Sequence, residues 1–317
     1  MRVLGERYRL EQRIGVGGMS EVWRGHDDVL DRPVAVKLIA PHLIDSADSV
    51  VEQVRTEARS AARLTHPNVA SVHDFGMSTM LPGTPAPYIV MELVEGETLA
   101  DHLRAGPLDW HIAVRVCAEV AAALAAAHAN GIVHRDVKPA NIILTPAGVK
   151  VLDFGIAAIA GEPDSAVDGT IVGTPAFVAP ERLEADGVTP ATPAADVYAL
   201  GVLLYLCLAR TLPWEPSRLP GVPPNAIPPG VEPTPLPPIP GLPDEVATLC
   251  DQCISRDPDA RPTSFAVALM LAEAVDAQVY VPLTGTAPLV REVTTATQWT
   301  DEPTDVFEFP GRHRADP

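Results

Sequence analysis

Lysine is nearly absent from this chain. Of its 23 basic residues only Lys37, Lys138 and Lys150 are lysines, against 41 acidic residues and a net charge of -18. So acidic a balance excludes a nucleic-acid or anionic-membrane surface as the natural partner and describes a self-repelling soluble protein. Cysteine is scarce too: Cys117, Cys207, Cys250 and Cys253. Only the last two are close, and zinc would need a second ligand pair, so they read as two thiols on one helix turn in a reduced, cytoplasmic protein. The opening stretch MRVLGERYRLEQRIG carries charge but no apolar core, which predicts no secretory leader. The longest apolar run, Val197 to Ala209, is too short to cross a bilayer and suits a helix buried in a domain.

What remains is a globular composition, 47% hydrophobic and 20% charged over 317 residues. Residues 8–40 alternate like strands around a glycine-rich turn, and APYIVMELVEG is a further strand ended by Gly96. Asp48 to Leu64 predicts a helix with Ser46 or Asp48 as its cap, and Asp109 to Asn130 a longer alanine-rich helix stopped by Gly131. Short strands follow at NIILT and VKVLDFG, then the buried helix. Two segments are biased: Pro213 to Pro243, crowded with proline, reads as an extended, unpaired loop, and residues 279–317, rich in threonine and acids, as a mostly disordered tail.

Three constellations carry chemistry. In IGVGGMSEV the glycines let backbone amides approach a phosphate closely, and their place between two strands disfavours a dinucleotide turn. In PVAVKLIA, Lys37 stands on an apolar strand, where a compact ammonium reaches a narrow cleft that a guanidinium would not. Val50, Val54, Glu57, Ala58, Ala61 and Leu64 share one helix face, so Glu57 is a carboxylate on an apolar face in need of a partner, and Lys37 is the predicted one. In HRDVKPAN, Asp136 can accept a hydroxyl proton, Lys138 can neutralise a transferred phosphoryl group, and Asn141 can hold a metal through its carbonyl oxygen; Asp153 of LDFG adds a hard carboxylate for Mg²⁺.

In this order and spacing these segments, with GTPAFVAPE and RDPDARP, resemble the Hanks-type (eukaryotic-like) bacterial serine/threonine protein kinases from about Tyr8 to about Ala277. The resemblance implies an α+β, bilobal fold: a strand-rich N-lobe over 1–94 with one long helix, a helix-rich C-lobe over 95–278, and the tail. It implies ATP and Mg²⁺ (or Mn²⁺) as cofactors and transfer of the γ-phosphoryl group to Ser/Thr hydroxyls, with autophosphorylation. By the same resemblance Gly15, Gly17 and Gly18 would cover the phosphates, and Lys37 would contact them while paired with Glu57. Asp136 would orient the hydroxyl, and Asn141 and Asp153 would ligate the metal. Ile14, Val22, Ala35 and Ile143 would sandwich the adenine beside the gatekeeper Met91, with the backbone of Glu92 and Val94 on the base edge; Glu97 would lie near the ribose. Glu181 would pair with Arg261, and Asp196 would brace the catalytic loop.

Lys138, two residues after Asp136, is the serine/threonine pattern, and Gly173 to Pro175 resembles the loop that receives the acceptor. Arg135 marks the type in which a phosphorylated segment is drawn to this arginine; Thr170 and Ser165 are the acceptor candidates, while Thr174 serves the substrate loop. Three departures stand out. Ala158 replaces a frequent basic residue, Asp168 stands near a position that relatives phosphorylate though a solvated loop aspartate is the plainer reading, and Ser20 replaces the third glycine. The proline-rich stretch takes the place of a substrate-docking helix and could itself be a proline-motif ligand. Thr294, Thr295, Thr297, Thr300 and Thr304 of the tail are candidate phosphothreonines for a forkhead-associated-domain partner. Pairing of two copies through their N-lobes is left open. A pseudokinase scaffold and a small-molecule phosphotransferase are the rival readings; the intact charged set opposes the first, and the GTP and APE segments the second.

Overall fold

The computed structural model describes residues 2–16, 20–39, 47–81, 84–154, 175–184, 191–215, 227–228 and 230–282. Gly17, Gly18, Ser46, Ala158, Ser165, Asp168, Thr170, Thr174 and the tail threonines lie outside the described residues.

The N-terminal part is an antiparallel sheet of β1 (Arg2–Leu4), β2 (Tyr8–Val16), β3 (Ser20–Asp27), β4 (Arg32–Ile39), β5 (Val72–Leu81) and β6 (Thr84–Glu92), in the order β1-β2-β3-β4-β6-β5. Strand β4 is buried on both faces, which is why its apolar run is continuous. Val34, Val36 and Leu38 pack with Leu4, Tyr8, Leu10 and Val90 on one side. Ala35 and Ile39 pack with Val54, Ala58, Ile89 and Met91 on the other. Lys37 alternates onto this second face, opposite Val22 and Ile89, and is only 8% exposed. Helix α1 (Ala47–Ala62) lays Val54, Ala58 and Ala61 on that face. It begins one residue before Asp48, which therefore lies inside the first turn and does not cap it.

The second part is helical: α2 (Leu99–Ala105), α3 (Trp110–Ala129), α4 (Pro180–Glu184), α5 (Pro193–Ala209), α6 (Asp244–Cys253) and α7 (Ser264–Ala274), with a small sheet of β7 (Glu97–Thr98), β8 (Ile142–Thr145) and β9 (Gly148–Val151). Asp109 caps α3 by accepting from the His111 amide at 2.9 Å, and Gly131 supplies the left-handed turn beyond its end, at φ 71°. By length and composition α3 could cross a membrane, although Arg115 and Glu119 interrupt its apolar run. With 78% of its apolar window buried in the domain, it is the core helix against which α5 and α7 pack.

Helices α5 and α6 approach closely at Gly201, where a Cβ would stand 2.6 Å from Cys253 Cβ. The four cysteines are free and buried in this helical core. Cys250 Sγ donates to the Gly201 carbonyl, and burial pushes the Cys253 thiol up to about 12, so it stays protonated. Among the described residues no group of three or more His, Cys, Asp or Glu is placed to hold a metal.

The sheet and the helices join along β9. Val151 donates to the Asn68 carbonyl at 2.8 Å and accepts from Ala70 at 3.0 Å. Asn68 Nδ2 donates to the Val149 carbonyl and to the buried Glu119, which also accepts from the Val149 amide at 2.6 Å. The packed unit runs to Pro282, beyond the expected tail boundary at 279. Val279 and Val281 lean on the helical core, and His66 Nε2 donates to the Tyr280 carbonyl at 2.8 Å.

The outer end of the sheet depends on a buried carboxylate. Asp27 is fully buried and accepts from Arg7 Nε and Nη2 at 2.7 Å each, and from the amides of Val29 and Leu30. The Arg7 hydrogen bonds hold its carboxyl well below the usual carboxylate range. A depressed folded pKa contributes stability that is fully present above about pH 4, where the unfolded carboxyl titrates, and is lost as pH falls through the folded value. Asp27→Asn is expected to melt about 5 °C or more below wild type at pH 7, and the gap to narrow as pH drops below about 4 in thermal scans.

Candidate active site

The cleft is built from strand β4, helix α1, the loop between α3 and β8, and the turn after β9. The loop is held from below by Asp196, the first-turn acid of α5, only 1% exposed. Its Oδ2 accepts from the His134 amide at 2.7 Å and from His128 Nε2 at 2.9 Å, and its Oδ1 accepts from the Arg135 amide at 2.8 Å. Because the Asp196 carboxylate only accepts, His128 Nε2 carries the proton, and its Nδ1 meets Ser264 Oγ at 2.8 Å. These bonds hold Arg135 in the left-handed region, at φ 72°. Asp153 is held likewise at φ 61°. Such residues cost of order 1–3 kcal/mol each and persist only where their surroundings over-determine them.

His134 links the two strained residues. Its Nε2 donates to the Leu152 carbonyl at 2.9 Å, its Nδ1 accepts from the Asp136 amide at 3.2 Å, and its ring sits edge-on to Phe154 at 4.6 Å. Asp136 Oδ2 then receives Lys138 Nζ at 2.6 Å and Asn141 Nδ2 at 2.9 Å. Asn141 Nδ2 also donates to the Asp136 carbonyl, so the amide is oriented by its nitrogen and its oxygen is left as a donor for a cation.

The expected Lys37–Glu57 pair is not formed. Lys37 Nζ meets Asp153 Oδ2 at 3.0 Å, and Glu57 Oε1 meets Arg135 Nη1 at 3.4 Å. The Glu57 side chain is 17% exposed on α1, and the cation it meets at 3.4 Å, Arg135, comes from the loop. The left-handed backbone that projects Arg135 could not be read from periodicity. A cavity of about 230 Å³ opens beside this pair, bounded also by Ser60, Arg63 and Asn130.

Of the residues expected around the base, Ala35 and Met91 are buried cross-strand partners, Val22 packs beside them, Ile143 is half-buried on β8, and Ile14 and Gly15 end β2 toward the undescribed turn, Ile14 being half exposed. Val94 follows β6, and Glu97 is exposed on β7. The carboxylate of Glu92 accepts from Lys150 Nζ at 2.9 Å and from the Ser71 amide at 3.2 Å. The alternation of VKV turns the Lys150 side chain away from the face of the buried Val149 and Val151. Farther down, Arg261 spends all five N–H groups: two on Glu181 at 2.8 Å each, the rest on the carbonyls of Ala194, Ser255 and Arg256.

A curled antiparallel sheet with one helix, set over a helical body, with an Asp-Lys-Asn loop and an Asp turn at the junction, defines the class of phosphoryl-transferring protein kinases. The chain belongs to that family: the protein kinase domain matches residues 8–276. It is 40% identical over 260 residues to the serine/threonine-protein kinase PknA of Mycobacterium tuberculosis, covering 81% of this chain and 58% of that relative. It is 42% identical over 214 residues to the serine/threonine-protein kinase PknB of Mycobacterium leprae, covering 67% of this chain and 34% of that relative. The chain thus spans little more than half the length of the first of these relatives. The crystal structure of a Mycobacterium tuberculosis PknI kinase domain variant shares the fold, with a TM-score of 0.62 at 24% identity over 86% of this chain and 97% of that one. The Hanks-type bacterial resemblance and the bilobal α+β expectation both stand.

Replacing Asp196 by Asn leaves an amide nitrogen facing N–H donors. The loss of one acceptor costs about 1–3 kcal/mol. Asp196→Asn is expected to lower the melting temperature by about 2–10 °C, and amide exchange at His134 and Arg135 should accelerate more than exchange in α7.

Proposed function

We propose that the chain transfers the γ-phosphoryl group of ATP to serine or threonine hydroxyls of proteins. The observation that carries this reading is the 3.0 Å contact of Lys37, from the sheet, with Asp153, from beyond β9. It brings a compact cation and a hard carboxylate to one point between the two parts of the fold, where a nucleotide's phosphates need both.

The residues present fit a magnesium nucleotide. Asn141 keeps its oxygen free through the two bonds its nitrogen makes to Asp136, and Asp153 offers a carboxylate; one or two such oxygens beside the nucleotide's own are the usual protein share of a Mg²⁺ site. Bound there, the ion would neutralise and orient the phosphates. Asp136, steered by Lys138 and Asn141 on Oδ2, accepts the hydrogen of the substrate hydroxyl through its other oxygen. Lys138 meets the charge that gathers on the transferred group. Lys37 would contact the nonreacting phosphates, and Asp153 and Asn141 would hold the cation. Glu57 then replaces Asp153 as the partner of Lys37, which requires it to leave Arg135. The pairing seen here is the resting arrangement of that exchange, and Arg135, when released, is free to receive a phosphorylated residue of the segment after Gly155.

Protein substrates follow from the similarity to PknA and PknB, and a cytoplasmic setting from the ATP requirement and four unpaired thiols. Phosphothreonines of the tail, Thr300 among them, would recruit the forkhead-associated partner.

Incubation of the purified chain with [γ-³²P]ATP and Mg²⁺ is expected to label it, with Asp136→Asn reducing the rate by about 10²–10⁴-fold; equal labelling by the variant would sink the assignment. Glu57→Gln is expected to slow transfer by at least about tenfold, a loss of roughly 1.4 kcal/mol in transition-state stabilisation, although Glu57 does not touch Lys37 here. Unchanged transfer would mean that the exchange of partners is no part of the cycle.

A further inference from the structure

The proline-rich stretch was expected to be an unpaired loop. Among the described residues from Pro213 to Pro243 there is indeed no helix or strand, yet the stretch is packed and regular. From 231 to 242 the sequence is VEPTPLPPIPGL. Pro233, Leu236, Ile239 and Leu242 turn inward, Leu236 to 8% exposure, while Glu232, Thr234, Pro235, Pro237, Pro238 and Pro240 are exposed. Burial that recurs every third residue is the signature of a polyproline II helix lying with one edge on a surface. The chemistry demands that conformation: each proline fixes its own φ, and Glu232, Thr234, Leu236, Pro237 and Ile239 each precede a proline and are pushed to extended ψ.

The ridge is bolted down from its inner side. The Leu236 amide donates to Asp251 at 3.0 Å, the Thr234 amide to the Pro213 carbonyl at 2.6 Å, and Arg256 to the Val231 carbonyl at 2.9 Å. Leu236, Ile239 and Leu242 pack into the helical core, and at the far end Gly241, at φ 81°, turns the chain beside the indole of Trp110. Among the described residues no donor reaches the carbonyls of Pro235, Pro237 or Pro238.

We infer that residues 231–240 are a preformed docking ridge for an aromatic-lined groove with a basic rim on a partner protein. The exposed prolines stand in pairs three apart, Pro235 with Pro238 and Pro237 with Pro240, the spacing at which successive turns of the helix present rings to stacked aromatic side chains. Their carbonyls are free to accept from indole or phenol donors in such a groove. Because the conformation is already fixed on the domain, docking orders nothing new on this side. The flanks are acidic, with Glu232, Asp244 and Glu245 exposed, which selects a basic rim and, with the chain's net charge of -18, disfavours a second copy as the occupant. The inference stands whether or not the chain transfers phosphate.

The test titrates the full chain into a ¹⁵N-labelled WW domain whose groove is flanked by Lys and Arg, and follows its amide resonances. Saturable shifts of groove residues at submillimolar chain are expected. Pro235→Ala/Pro238→Ala should abolish them, and Pro107→Ala, at an exposed proline between α2 and α3, should not. Should the double variant melt early, Glu232→Lys serves in its place and is expected to weaken binding at least about threefold by removing one rim contact. No shifts, shifts that survive the ridge substitutions, or sedimentation showing the ridge buried in a homodimer would each overturn the inference.

Discussion

A single buried carboxylate organises the cleft. Asp196 enters from the first turn of α5 and accepts from two consecutive loop amides and from His128. Without these bonds the left-handed conformation of Arg135 has nothing to offset its strain, and everything downstream depends on that one residue's backbone. Arg135 is projected toward α1, His134 is turned toward Leu152 in the turn after β9, and Asp136 is set where Lys138 and Asn141 converge. The ring of His134 carries the constraint onward, since its one N–H goes to Leu152 and its one lone pair to the Asp136 amide. One acid thus positions both the loop that would meet the hydroxyl and the turn that would meet the metal.

The charges above this base are arranged for exchange. Two cations, Lys37 and Arg135, face two carboxylates, Glu57 and Asp153, and the present pairing crosses them relative to the one the proposed reaction needs. Re-pairing Lys37 with Glu57 strands Asp153 and Arg135 in a partly buried site, where an unmatched charge is costly. The exchange becomes favourable only if something cationic arrives for Asp153 and something anionic for Arg135. On the proposed function those are the metal carried by the nucleotide and a phosphorylated residue of the segment after Gly155. The same electrostatics that would silence the site in their absence would therefore assemble it in their presence, with no contact made for regulation alone.

Much of this was legible in the sequence, and the limits have physical causes. The strands, α1, α3 and α5 follow from periodicity because each has a buried face or is buried all round. The Asp-Lys-Asn loop follows from order and spacing. Partner choice does not: helical spacing puts Glu57 on the apolar face of α1, but that Arg135 reaches it depends on a φ near +72° at Arg135. Strand β5 is the exception: register shifts in its pairing with β6, at Val72/Asp74 and Ser78/Leu81, break the alternation. Among its described residues the proline stretch holds no helix or strand, yet it is packed and hydrogen-bonded, where the sequence reads as an unpaired loop. A period of three was visible in Pro233, Leu236, Ile239 and Leu242, but only packing shows that those positions share a buried edge.

The scarcity of lysine also finds its reason in these contacts. Where a cation anchors structure, the chain uses the guanidinium fork: Arg7 grips Asp27 with two parallel bonds, and Arg261 grips Glu181 in the same way while spending its remaining donors on carbonyls. Such bidentate pairs resist exchange because two bonds must break together and the planar fork fits few alternatives. All three lysines instead meet a carboxylate across elements or across a loop: Lys37 with Asp153, Lys138 with Asp136, Lys150 with Glu92. On the proposed function the first two of these carboxylates also serve the metal and the hydroxyl, while Glu92 also accepts from the Ser71 amide. A point charge on a flexible stem can let go of one oxygen and take another without a geometric penalty. On the proposed function the pairs of Lys37 and Lys138 open, and so does the single, longer contact of Arg135 with Glu57, whereas the bidentate grips of Arg7 and Arg261 stay closed.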